Sequence, residues 1–341
     1  MEKTYELLNS ICKIPAISGA ESLTLNAFKD LFGASFDEIH SDNVGNIIMV
    51  KHCGKAGAKK IVLDAHLDTV GFMVTAVHDD GFLSICPIGG IDTRILPAQE
   101  VCVYGKKEVY GVITSIPPHL SSGSGVPEIK DLYVDTGIND KDIHNTIEIG
   151  DYVGFKQEIC RANGNYVFAS GLDDRACLCS CIKAVCEAKE LEYDVYIVAS
   201  SFEETGAMGV KAAVFGIEPD IVIATDVNFA RENGIEPRYS IECKKGPSVD
   251  LSSILDRALS KAILKLAKEN NIPCQVIVEA GRTGTNADAI SITGKGTKLA
   301  LMSLPLKAMH TSCECVNLFD VKALADILNI VISTKEEQLW S

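Results

Sequence analysis

The chain has 341 residues, 47% of them hydrophobic and 23% charged, and its 32 Lys+Arg against 46 Asp+Glu give a net charge of −14. That balance disfavours nucleic acid and anionic membrane surfaces as partners, because phosphates call for a basic patch. No apolar run reaches the roughly 18–20 residues of a membrane span, and no export signal opens the chain, so the 13 cysteines read as reduced thiols of a cytoplasmic protein.

The length exceeds one domain of roughly 100–200 residues and predicts two, one inserted in the other. A helix is expected over residues 4–12. Ser18-Gly19-Ala20-Glu21 has the form of a capping box before a second helix, Ser22 to Phe32. The turn Asp42-Asn43-Val44-Gly45-Asn46 feeds the strand Ile47 to Lys51, and the apolar run Ile61-Val62-Leu63, opened by two β-branched residues, marks a buried strand that ends in polar groups at His66 and Asp68. From about residue 72 to 167 short strands alternate with turns, the texture of a small β barrel or sandwich, with Pro117 to Gly125 as a loop within it. After Gly171 strands and helices alternate again. The expected fold is therefore α/β, a mostly parallel sheet flanked by helices, built from 1–71 and 168–341, with 72–167 inserted as a β-barrel-like domain.

Chemistry-bearing side chains recur where the predicted strands end: His66 and Asp68, Asp173 and Asp174, Glu203 and Glu204, Asp226, and His310. Open α/β sheets bind ligands at the carboxyl ends of their strands, so residues far apart in sequence can converge there. Imidazole and carboxylate are zinc-type ligands. A carboxylate two residues after a histidine can hydrogen-bond its second ring nitrogen. Each element also has a plain structural reading. Asp173-Asp174-Arg175 can cap a helix, an adjacent Glu pair is common on solvated surfaces, and Cys177, Cys179, Cys181 and Cys186 read as helix packing rather than an iron–sulfur pattern.

Several segments, in order along nearly the whole chain, carry a more specific signal. They are Asp42-Asn43-Val44-Gly45-Asn46, Asp64-Ala65-His66-Leu67-Asp68, Leu172-Asp173-Asp174-Arg175, Phe202-Glu203-Glu204-Thr205-Gly206, Ala224-Thr225-Asp226, Gly284-Thr285-Asn286-Ala287-Asp288 and His310-Thr311-Ser312. In these the sequence resembles the tetrahedral dinuclear-metal aminopeptidases, the glutamyl and deblocking enzymes that include "cellulase M" proteins.

The resemblance implies removal of N-terminal residues from peptides with a free N-terminus, two divalent metal ions (zinc or cobalt, with manganese as a further option), and a homo-oligomer of tetrahedral, dodecameric form. It implies that His66 and Asp226 hold one metal, Glu204 and His310 the other, and Asp173 both. Glu203 would be the general base and Asp68 would orient His66. The β insert would serve assembly and access. Phe202, Thr69, Val227-Asn228-Phe229, Asn286 and Asp288 depart from the family pattern without removing a ligand or the base. A related deacylase or carboxypeptidase fits the ligand order, but its insert is usually α+β. Glycoside hydrolysis is disfavoured, because adjacent carboxylates do not face each other across roughly 5–9.5 Å. A non-catalytic assembly protein would not need the intact ligand set.

Overall fold

The alternation of apolar residues decides which face each strand gives to which layer. The computed structural model describes residues 1–117, 119–120, 125–138, 142–156 and 158–339. The strands are β1 (Glu38–Ser41), β2 (Ile47–Lys51), β3 (Lys60–His66), β4 (Gly71–Val77), β5 (Phe82–Ile88), β6 (Glu100–Tyr104), β7 (Glu108–Thr114), β8 (Tyr133–Asp135) and β9 (Tyr152–Phe155). They continue as β10 (Cys160–Arg161), β11 (Tyr166–Ala169), β12 (Asp194–Ser200), β13 (Ile221–Phe229), β14 (Ser248–Leu251), β15 (Gln275–Val278), β16 (Lys298–Leu306) and β17 (Glu314–Asn317). The helices are α1 (Glu2–Cys12), α2 (Leu25–Phe32), α3 (Leu172–Glu187), α4 (Gly209–Ile217), α5 (Arg257–Glu269), α6 (Asn286–Ile290), α7 (Leu318–Ser333) and α8 (Glu336–Leu339).

Eight strands form one sheet in the order β1-β2-β12-β3-β13-β16-β14-β15. The central four, β12, β3, β13 and β16, run parallel, and the sheet turns antiparallel on either side of them. On β3, Ile61 and Leu63 face a core shared with Leu8, Phe28, Ile182, Ile263 and Leu328, whereas Val62 faces Val198, Val210, Val214 and Ile290. Burial on both faces explains the unbroken apolar run. Cys177, Cys179 and Cys181 are fully buried in α3, packed as small apolar groups within the first of these cores.

The inserted unit is a closed barrel of order β4-β5-β8-β7-β6-β9. Its interior is filled by alternate residues such as Phe72, Val74, Leu83, Val101, Val103 and Phe155, with the Phe72 and Phe155 rings edge-to-face at 5.9 Å. Closure leaves no exposed sheet edge. β10 pairs with β11, and β11 with β17, in a separate three-stranded sheet.

Two local expectations take a different form. The second helix opens as a 3-10 turn, Glu21–Thr24, ahead of α2. The Ser18 hydroxyl pairs with Thr205 Oγ1 at 3.1 Å instead of capping that turn, and Glu21 turns both carboxylate oxygens elsewhere. Of the Pro117 to Gly125 loop, Pro118 and residues 121–124 lie outside the described residues. No described helix is long and apolar enough to cross a membrane.

Candidate metal centre

The segment after β12 is held by an acceptor at each of four successive N–H groups. Asn46 Oδ1 accepts Ser201 N–H at 2.9 Å, and Glu21 Oε1 accepts Phe202 N–H at 3.0 Å. The two oxygens of Asp68 accept Glu203 N–H at 3.0 Å and Glu204 N–H at 3.1 Å. Asn46 is itself fixed by Asp42, whose Oδ1 takes the N–H groups of Val44, Gly45 and Asn46, and it donates to Gly209 O at 2.9 Å. Gly209 is glycine for lack of room: a Cβ there would sit 2.2 Å from Ser201 O. The Asp42-to-Asn46 motif therefore acts at a distance, locking the chain that presents Glu203 and Glu204.

The two histidines are oriented alike. His66 Nδ1 lies 2.9 Å from the main-chain oxygen of Asp68, and His310 Nδ1 lies 2.8 Å from Gly90 O in the inserted unit. A carbonyl only accepts, so each Nδ1 carries the proton and each Nε2 is turned inward. His66 Nε2 is 3.0 Å from Asp173 Oδ1. His310 Nε2 is 3.4 Å from both Asp173 Oδ2 and Glu204 Oε1. Each oxygen of Asp173 thus faces a different imidazole. The Asp68 carboxylate stands 3.6 Å from His66 Nδ1, so the close contact to that ring comes from the Asp68 main chain.

His66, Asp173 and Glu204 bring ligand atoms within 4.8 Å of one another, as do His66, Asp174 and Asp226. Asp173 and Asp174 are joined by a cis peptide ahead of the regular part of α3. Asp226 is buried within β13, three residues before its end, with Oδ1 accepting its neighbour Val227 N–H at 2.7 Å. All five residues of the expected ligand set therefore converge.

The electrostatics are those of a crowded anionic site. Burial opposes the charged form of Asp173, but the hydrogen bonds and charges of His310 and His66 outweigh it and hold its carboxyl below the usual range. Burial, reinforced by Asp173, raises Glu204 to about 8, and burial with Asp174 raises Asp226 well above its ordinary value. His66 is raised well above its ordinary value although burial alone would lower it, because the Asp173, Glu203 and Asp68 carboxylates surround it. The Asp173 carboxylate, accepting a hydrogen bond from its ring, pushes His310 up to about 9. Neither Asp174 oxygen is matched with an N–H or O–H donor. A largely buried donor set of two imidazoles and four carboxylates, with no N–H or O–H donor on either oxygen of one of the acids, fits divalent cations.

Three contributors have no local signature. Buried Glu314 accepts Asp173 N–H at 3.1 Å through Oε2 and His310 N–H at 2.7 Å through Oε1. Glu21 and Gly90 act on Phe202 and His310 from distant parts of the chain. A fourth residue gains an explanation here: the Asn286 amide donates to Asp64 Oδ2 at 3.0 Å and Ser200 Oγ at 2.8 Å, so a carboxylate at this position would abut Asp64.

Two cavities open on Glu203, Glu204 and His310. The outer, about 630 Å3, also meets Lys211 and Arg282, and the inner, about 300 Å3, meets His66, Asp173 and Asp226. Arg94 is exposed and pairs with Asp92.

A helix-flanked α/β sheet with an inserted barrel and a buried His/Asp/Glu centre at the strand ends defines a metal-dependent hydrolase class. The sequence pattern of the M42 glutamyl aminopeptidases matches residues 45–327, and the chain belongs to that family. It is 33% identical over 327 residues to the lysyl aminopeptidase of Pyrococcus furiosus, covering 93% of each chain. Among solved structures, an aminopeptidase from the archaeon Desulfurococcus kamchatkensis superposes with a TM-score of 0.91 at 28% identity, over 99% of this chain and 97% of that one. A Pyrococcus horikoshii TET1 peptidase, described as assembling into a tetrahedron or a large octahedral shell, matches with a TM-score of 0.84 at 28% identity over 97% and 100%. The protein is a metal-dependent aminopeptidase.

Proposed function

We propose that the centre holds two divalent cations, with His66 and Asp226 on one, Glu204 and His310 on the other, and Asp173 shared. The observation that carries this is the division of Asp173, whose Oδ1 lies 3.0 Å from one imidazole Nε2 and whose Oδ2 lies 3.4 Å from the other. Both Nε2 atoms are available as ligands because both Nδ1 atoms are engaged by carbonyls. Oxygen and imidazole donors suit zinc, cobalt or manganese.

When bound, the cations supply Lewis acidity and lower the pKa of water. The rest is done by the chain. Glu203 lines both cavities, and its backbone is fixed by Asp68, so its carboxylate is placed between the substrate space and the ligand cluster. Burial raises its proton affinity, with the Asp68 and Asp173 charges adding to that effect. Such a carboxylate takes a proton from the attacking water and returns it to the departing amine. The same acidic surroundings suit the positively charged α-amino group of a peptide, which accounts for action at a free N-terminus.

The barrel supplies Gly90 O to His310, so the inserted unit participates in building the site and serves access as well. The relatives' assemblies, together with Val276 and Val278 exposed on the edge strand β15, support a homo-oligomer, the tetrahedral dodecamer being the expected form. A reducing cytoplasm is the compartment expected for a chain with 13 scattered cysteines.

Metal counting after chelation and reloading tests the two-cation reading. The wild type should take up two ions per chain, and Asp173→Asn should weaken both. A stoichiometry of one ion per chain, or full occupancy in Asp173→Asn, would overturn it.

A further inference from the structure

The inner cavity extends sideways from the metal cluster under the sheet's β13–β16–β14 side. Asp226 on β13 is in register with Ser303 on β16, and Ser303 with Ser248 on β14. Neighbouring strands lie about 4.8 Å apart, so this row reaches about 10 Å from the cluster. At its far end is Asp250, 1% exposed, held by Ser248 Oγ at 2.5 Å and Ser303 Oγ at 2.6 Å. Both contacts are hydroxyl donors, which fix the carboxylate in place without neutralising it. Glu279 follows on the next strand, its N–H bound to Leu251 O at 2.9 Å. Its Oε2 is buried with no hydrogen-bond partner. The walls between the cluster and these two acids include Phe229, Leu301 and Met309, and no Lys or Arg is among the described lining residues.

We propose that this cavity receives the side chain of the substrate's N-terminal residue and selects a basic one, lysine or arginine, through Asp250 and Glu279. The proposal rests on the aminopeptidase reading of the adjoining centre and adds its substrate class. The residues fit each part of such a side chain. Apolar walls take the methylenes, and an anchored carboxylate and an unpaired one take the cationic head. An orphaned acceptor at the end of a cavity is satisfied by a donor that the ligand brings, and a charged donor gives the strongest such bond. Burial and the charge of Asp250 raise Glu279 to about 7, so an arriving cation also stabilises its ionised form. An acidic side chain meets the opposite field, and a neutral one leaves Glu279 unpaired.

The test compares kcat/KM of the metal-loaded enzyme on the p-nitroanilides of lysine, arginine, norleucine, leucine and glutamate. Norleucine matches the lysine chain but lacks its ammonium. The lysine and arginine substrates should exceed norleucine by at least about tenfold, as expected where a site's polar groups must be satisfied by the substrate. E279Q and D250N should each bring that ratio below about threefold. Asp250 is buried, so D250N can compromise folding. E279Q, at the edge of the sheet, keeps the test decisive. Norleucine turned over as well as lysine, or a ratio unchanged in E279Q, would overturn the proposal and leave the aminopeptidase reading standing. Absence of turnover of every amide by the metal-loaded enzyme would overturn that reading and the proposal together.

Discussion

The Asp68 carboxylate grips Glu203 by its main chain, at 3.0 Å from Oδ1 to the Glu203 nitrogen, and holds Glu204 the same way with Oδ2 at 3.1 Å. One side chain therefore sets the position of the proposed general base and of a proposed metal ligand together. Replacing it by asparagine removes one of these acceptors and offers an amide N–H to a backbone N–H. Asp68→Asn should lower kcat/KM by about 10–100-fold, the usual cost of losing a group that supports metal ligands. Circular dichroism should show the fold retained. Steady-state kinetics at saturating metal check this, and unchanged kinetics would mean the Glu203–Glu204 turn holds without it.

Glu314 joins two expected ligands from behind, accepting the N–H groups of Asp173 and His310. Glu314→Gln can satisfy only one of them. Metal affinity, read by competition with a chelating dye, should fall by about 10–100-fold. An unaltered affinity would show that Asp173 and His310 are positioned by other contacts.

Glu21 gives a pH signature. Burial, with the Asp68 charge adding, raises it to about 7 from an ordinary 4.5. The folded state therefore binds the proton more tightly than the unfolded one between those values. Stability contributed by the protonated form is complete below the unfolded pKa and declines as pH rises toward 7, by at most about 1.4 kcal/mol per pH unit. Urea midpoints should fall more steeply across that window in wild type than in Glu21→Gln. Parallel profiles for the two proteins would contradict the assignment.

Asn286 is buried in the core beside Asp64. Its amide donates to Asp64, which burial raises to about 7 even with that bond. Asn286→Asp would set two buried carboxylates against each other and require a shared proton. Loss of the donor should cost about 1–3 kcal/mol at neutral pH, and part of it should return on acidification. Equal urea stability of variant and wild type at neutral pH would contradict this.

Much of the architecture was legible in the sequence because it follows periodicity. The run Ile61-Val62-Leu63 announced a strand buried on both faces, and the turn-separated short strands after Gly71 announced the barrel. The candidate ligands were legible as imidazoles and carboxylates near predicted strand ends: His66 ends β3, and Glu204 and His310 follow β12 and β16, whereas Asp226 lies within β13 and Asp173 opens α3. What escaped has a common cause. Glu314 to Asp173, Glu21 to Phe202 and Gly90 to His310 are hydrogen bonds across 141 or more positions, and no spacing rule encodes such a pairing. The capping box was misleading for the same reason: Glu21 is drawn to Phe202 N–H instead of its own helix. Asp250 and Glu279 escaped because a single acid within or just after a strand looks like any polar interruption until the cavity beside it is seen.

The central claim is that Glu203 moves the proton while Glu204, its neighbour, binds metal. Glu203→Gln, assayed for metal content and turnover in the same preparation, tests it most directly. The account predicts wild-type metal content with kcat reduced by about 10²–10⁴. Near-normal turnover in that variant, with metal in place, would contradict it.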